Sequence, residues 1–83
     1  MSELVLSAQV SVYPLRQAKL RPAIDALREA LVGAGLDPKV GSMSTVVVGE
    51  AGAIFAALEH GMREMAAVGD VVMNVAFSNA CPT

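Results

Sequence analysis

Between Leu4 and Leu15 apolar and polar positions alternate. Leu6, Ala8, Val10 and Val12 are interleaved with Val5, Ser7, Gln9, Ser11 and Tyr13, the two-residue period of a strand with one buried face. Tyr13-Pro14 ends this strand, because proline cannot donate to a central ladder. The period then lengthens. Ala23, Ile24, Leu27, Ala30 and Leu31 share one face of a helix whose opposite face carries Arg21, Asp25, Arg28 and Glu29. Pro22 suits the first turn, where its missing N–H is not needed, and Gly33-Ala34-Gly35 supplies the stop. After an Asp37-Pro38 turn, Lys39 to Glu50 predicts two short strands. Their junction falls in Gly41-Ser42-Met43-Ser44, and Thr45-Val46-Val47-Val48 forms the second strand. Gly52 to Val68 predicts a second helix with Ile54, Phe55, Leu58, Met62 and Met65 inward and Glu59–Arg63 as an outward i,i+4 pair. Gly61 weakens that helix by roughly 1 kcal/mol relative to alanine, a sign of close packing there. Gly69-Asp70 then turns into a final strand, Val71 to Ser78.

The predicted order is β-α-β-β-α-β within one domain, residues 1–83. Right-handed crossovers and short connections favour an α+β ferredoxin-like sandwich: a four-stranded antiparallel sheet in the order 4-1-3-2, with both helices on one face. The other face is the informative one. With the even-numbered residues of the first strand turned to the helices, Ser7, Gln9, Ser11 and Tyr13 lie on the open face. The last strand divides with Val71, Met73, Val75 and Phe77 inward and Val72, Asn74, Ala76 and Ser78 open. Gln9, Ser11, Asn74 and Ser78 then converge as amide and hydroxyl groups among small side chains. Such uncharged donors and acceptors beside Tyr13 suit a small polar heteroaromatic ligand better than a metal or a phosphate. A polar sheet face can equally be one that meets only water. Val5, Val72 and Ala76 on this face argue instead for a cover, and self-association supplies one for a short chain.

Composition narrows the classes. Hydrophobic residues are 54% of the 83 and charged residues 17%, which excludes a disordered chain. The apolar stretches are interrupted too often to span a membrane as a helix, and Met1-Ser2-Glu3 lacks a basic n-region. A net charge of −2 argues against nucleic acid, whose binding needs a concentrated basic surface. The single cysteine, Cys81, makes neither an internal disulfide nor a multi-cysteine metal site. A cytoplasmic location follows as the expectation.

Candidate chemistry is sparse. Ser42-Met43-Ser44-Thr45 reads either as an ordinary hairpin turn or as a rim of hydroxyls around a soft apolar contact. Gly49-Glu50-Ala51-Gly52 lacks the spacing and lysine of a phosphate loop. Glu50 is foremost a helix-start carboxylate, with pairing to a ligand cation as the other reading. His60, the sole histidine, stands mid-helix near Glu59, Arg63 and Glu64 without the partners a metal site needs. No paired carboxylates and no base beside Cys81 are evident, so neither acid–base nor nucleophilic catalysis is expected.

Three segments carry a resemblance: Ala8-Gln9-Val10-Ser11-Val12-Tyr13-Pro14-Leu15, Val40-Gly41-Ser42-Met43-Ser44-Thr45, and Asp70-Val71-Val72-Met73 through Phe77-Ser78-Asn79-Ala80-Cys81-Pro82. Together they resemble the YkoF-like family of thiamine- and hydroxymethylpyrimidine-binding proteins, with the closing Phe-Ser-Asn-Ala-Cys-Pro as the most specific part. The Gly-Ser-Met-Ser-Thr segment recurs, varied, in a broader related thiamine-binding group. The resemblance implies a ferredoxin-like fold that binds thiamine or its pyrimidine without transforming it, in vitamin uptake or salvage. The founding protein is similar to two such domains in tandem, so one domain implies a homodimer, which can pair further into a tetramer. The implied ligand contacts are Gln9, Ser11 and Tyr13; Ser42, Met43, Ser44 and Thr45; and Asn74, Phe77, Ser78 and Asn79. Tyr13 and Met43 would sandwich the pyrimidine. Phe77 is in tension with the alternation, which turns it inward. Related sequences often have an acidic residue where this chain has Val48; if that carboxylate holds the thiazolium cation, Glu50 must substitute. The expectation is therefore a non-enzymatic vitamin binder with no cofactor or metal. The competing readings are an oligomeric interaction or regulatory module with no vitamin ligand, and an enzyme acting through Cys81.

Overall fold

A computed structural model of the chain describes residues 4–16 and 21–80. Its elements are β1 (Val5–Pro14), α1 (Arg21–Gly33), β2 (Lys39–Val40), β3 (Thr45–Glu50), α2 (Ala51–Ala66) and β4 (Val71–Ser78). The four strands form one antiparallel sheet in the order β2-β3-β1-β4, the α+β ferredoxin-like arrangement that the pattern predicts.

Both helices cover the face that carries Leu6, Ala8 and Val10. These pack with Ala23, Leu27 and Leu31 of α1 and with Ile54, Leu58 and Met65 of α2 into one apolar core. Gly61 lies where the helices cross: a Cβ there would sit 3.4 Å from both the Ala30 Cβ and the Leu27 Cδ1. The missing side chain that weakens α2 locally is what lets α1 approach it. At the end of α1, Gly35 adopts φ +82°, while Leu36 N–H donates to the Leu31 carbonyl and Gly35 N–H to that of Val32, each at 3.0 Å. This is a Schellman cap, and its left-handed residue is best supplied by glycine.

The strand boundaries have simple causes. Pro14 is the last residue of β1, opposite Val71, at a height where β1 no longer pairs with β3, whose ladder ends at Val10–Thr45. With one side of β1 unpaired there, the missing N–H is tolerated. Helix α2 begins one residue earlier than predicted and ends at Ala66, with Ala67 and Val68 forming a turn. Its inward face also needs a correction. Ile54, Leu58 and Met65 are buried and Met62 is half-buried, but Phe55 is 53% exposed. Its ring leans on Phe77, with ring centroids 4.8 Å apart. Phe55 thus packs on the sheet's margin rather than within the core.

Candidate functional site: the open face of the sheet

Directly opposed residues of an antiparallel pair point to the same side of the sheet. The register between β1 and β4 therefore sets Ser7 beside Ser78, Gln9 beside Ala76, Ser11 beside Asn74 and Tyr13 beside Val72 on the face away from the helices. Gln9, Ser11, Asn74 and Ala76 line a shallow depression of ≈ 360 Å³. The small side chains of Ala76 and Ser11 make the hollow, and Gln9 and Asn74 place amide groups at its margin. Tyr13, 52% exposed, stands next along β1 on the same face. Beyond it the Leu15 N–H donates to the Asp70 carbonyl at 2.9 Å, and Arg16, at φ +58°, pairs with the Asp70 carboxylate. These contacts tie the end of β1 to the start of β4.

The β2–β3 loop approaches from the other side. Ser11 to Tyr13 extend past the end of the β3 pairing, and the loop turns there, closed by a 2.8 Å bond from the Gly41 N–H to the Ser44 carbonyl. The Gln9 side-chain amide donates to the Ser44 hydroxyl at 3.1 Å. Ser44 thus joins the open-face group and orients Gln9, leaving the amide oxygen free to accept. Ser42 and Met43 are exposed on the same loop, Met43 at 86%. They also line a small cavity of ≈ 40 Å³ toward α1, with Ile24 and Leu27 beyond it.

Two expected contact residues fall on the wrong face for this group. Thr45 is opposite Val10 and only 4% exposed, so its side chain belongs to the core side of the sheet. Phe77 is opposite Ala8 and stacks on Phe55 of α2. For Phe77 the alternation, not the resemblance, is what the fold follows. Glu50 is committed locally: its carboxylate accepts from the Gly52 N–H at 2.9 Å and the Ala53 N–H at 3.2 Å as the N-cap of α2. This is the helix-start role, satisfying N–H groups that the first turn leaves unpaired. Ser78 lies on the open face but its hydroxyl accepts from the Ala80 N–H at 3.0 Å, holding the bend that contains Asn79. Cys81 lies outside the described residues.

Sequence reasoning missed part of the face. Val46 and Val48, opposite Gln9 and Ser7, form an exposed apolar strip on β3. The run Val46-Val47-Val48 shows no alternation of polarity, so only the pairing register separates buried Val47 from its neighbours. The position of the expected acidic residue, Val48, is thus on the face in question, beside Ser7. Among the described residues no group of three or more His, Cys, Asp or Glu side chains could hold a metal ion, and no helix is long and apolar enough to cross a membrane.

Solved structures share this architecture at low sequence identity. A hypothetical protein from Methanocaldococcus jannascii superposes with a TM-score of 0.82 at 22% identity, over 90% of this chain and 79% of that one. A candidate thiamine biosynthesis/salvage protein from Thermotoga maritima gives 0.76 at 21%, over 88% and 81%. A Streptococcus pneumoniae protein gives 0.79 at 22%, over 89% and 84%. These likenesses establish the fold. Among curated proteins no sequence matches the chain. The sequence profile of the YKOF-related family matches residues 5–83, nearly the whole chain, and the protein belongs to that family.

Proposed function

We propose that the protein binds thiamine, or its hydroxymethylpyrimidine moiety, on the open face of the sheet and releases it unchanged, serving vitamin uptake or salvage in the cytoplasm. The observation that carries this reading is the hollow formed by Gln9, Ser11, Asn74 and Ala76 beside Tyr13. An aminopyrimidine offers ring nitrogens that accept and an exocyclic amine that donates. The two amides and the hydroxyl supply the complementary set without a formal charge. Membership in the family and a fold shared with a candidate thiamine biosynthesis/salvage protein point the same way. Nothing in the reading calls for a nucleophile or a general base, so the site selects and holds rather than transforms.

A second copy of the chain completes the site. The depression is shallow, and a ligand held on an open sheet would keep one ring face in water. Val46, Val48 and Val72 flank it as exposed apolar side chains, the kind of surface that is buried on association. Two sheets packed face to face would bury these valines and enclose the ligand. The same valines favour a second reading, a pure assembly module whose open face pairs without a ligand.

Isothermal titration calorimetry separates the two. Saturable binding of thiamine and of hydroxymethylpyrimidine, near one ligand per chain, is expected. Thiamine phosphate is expected to bind no more tightly than thiamine, because the depression presents no cationic side chain. Asn74→Ala removes a hydrogen-bonding amide worth about 0.5–1.5 kcal/mol, an expected loss of about two- to tenfold in affinity with the fold intact. Silence toward all three ligands from folded protein would leave the assembly module as the function.

A further inference from the structure

We propose that the backbone N–H and C=O of Val12 are the docking point for the amidine edge of the ligand, its ring nitrogen together with the adjacent exocyclic amine. This inference rests on the proposed function and names the protein atoms that read the pyrimidine.

Two hydrogen bonds fix where the main chain of β1 points. In an antiparallel ladder a residue directs its N–H and C=O to one side, and successive residues alternate sides. The Ala51 N–H donates to the Leu4 carbonyl at 2.8 Å, and the Leu15 N–H donates to the Asp70 carbonyl at 2.9 Å. Ala51 follows the last residue of β3, and Asp70 precedes the first of β4. Even-numbered residues of β1 therefore turn their main-chain groups toward β3, and odd-numbered ones toward β4. Val10 meets Thr45 in this way, and there the β3 ladder ends. Val12, the next residue of that set, would meet Met43, but the chain has already turned. The bond from the Gly41 N–H to the Ser44 carbonyl closes a hairpin whose tip is Ser42-Met43. Among the described residues no main-chain group pairs with Val12 from that side.

The pair faces a slot in the fold. Val12 is half-buried, and it lines the cavity of ≈ 40 Å³ together with Ile24 and Leu27 below and Ser42, Met43 and Ser44 across. Backbone groups in such a place need a partner, because leaving water without one is unfavourable. An added strand does not fit. On that side Val10 is already taken by Thr45, and Pro14, the next residue directed there, has no N–H. One donor beside one acceptor, with no second donor to follow, suits the edge of a single ring. An amidine edge presents an acceptor and a donor side by side, the complement of that pair. The cavity admits the edge and little more, so the body of the ring stays on the open face. There Ser11 and Tyr13, the neighbours of Val12, flank it, and Gln9 and Asn74 serve its remaining polar groups. Ser42 and Met43, which the hollow leaves aside, become the opposite wall of the slot.

The first test uses the intact chain and hydroxymethylpyrimidine. In hydrogen exchange read by nuclear magnetic resonance, the Val12 amide of the free chain should exchange faster than its ladder-bonded neighbour Val10. Saturating hydroxymethylpyrimidine should slow Val12 by at least about tenfold, since only the bound state protects it. The second test replaces the amide between Ser11 and Val12 by an ester, through chemical synthesis and ligation of the 83-residue chain. The ester removes the Val12 N–H without taking a donor from the β-ladder. Hydroxymethylpyrimidine should bind the ester chain about fivefold or more weakly, the scale of one lost hydrogen bond. A pyrimidine lacking the exocyclic amine should bind the native chain more weakly too, and should lose less on the ester chain, because the edge is no longer read as a unit. Hydroxymethylpyrimidine that binds while Val12 exchange stays unchanged, and that binds the ester chain within about twofold of the native one, overturns this inference and leaves the proposed function standing. Failure of the native chain to bind it removes both.

Discussion

Glu50 stands where a strand becomes a helix with no loop between them, and that position explains its chemistry. It is the last residue of β3 and the N-cap of α2, and both carboxylate oxygens are occupied by N–H groups of the first turn. A carboxylate so placed also meets the positive end of the helix dipole. Glu50→Ala is therefore expected to cost about 1 kcal/mol of stability, as lost N-caps do, and to leave thiamine affinity within about twofold, which is inside the scatter of a change that removes no ligand contact. Urea unfolding and calorimetry on the same variant check both halves. An affinity loss with no stability loss would instead assign Glu50 to the ligand cation. Thr45 teaches the same lesson from the opposite direction. A hydroxyl in a Ser-Met-Ser-Thr run looks like part of a polar rim, yet pairing with Val10 carries it to the core side.

At the scale of elements, the site is a product of register. The offset of β1 against β4 sets Ser11 beside Asn74 and Gln9 beside Ala76; a slip of β4 by one residue would send Asn74 and Ala76 to the helix face and leave Gln9 and Ser11 without them. Strand β3 contributes Val46 and Val48 to the same face through its own offset. Val48 is the place to test how thiamine's cation is handled, because the family resemblance puts an acidic residue there and the register puts it beside Ser7 on the open face. Val48→Asp is expected to raise affinity for cationic thiamine by about two- to tenfold, in keeping with a partly exposed charge pair. Affinity for neutral hydroxymethylpyrimidine should stay unchanged. Parallel calorimetric titrations of the two ligands read this out, and equal shifts for both would remove Val48 from the cation's neighbourhood.

For the whole molecule, a ligand enclosed between two copies must stabilise their association. Under the proposed function, thiamine binds the paired form more tightly than the free one, so by linkage it should lower the apparent dissociation constant of face-to-face pairing. Sedimentation with and without saturating thiamine measures this. A ligand that binds without shifting association would place the whole site within one chain.

Much of this architecture was legible because a small domain must use every apolar residue it has. The alternation in β1, the helical spacing of Ala23 to Leu31 and the cap at Gly35 each have one physical solution, and together they leave one topology. Gly61 was readable as a close crossing because nothing else justifies glycine in mid-helix. By itself the sequence determined the elements, their order and the polar positions that β1 and β4 present on the open face. Tertiary structure alone decided which side each valine of β3 faces, that Thr45 is buried, and that Phe55 leaves the core to stack on Phe77. The facing of the β3 residues was hidden because a nearly uniform apolar run carries no periodic signal. Facing is then set by hydrogen-bond register with a neighbouring strand, and register is a relation between residues far apart in the chain.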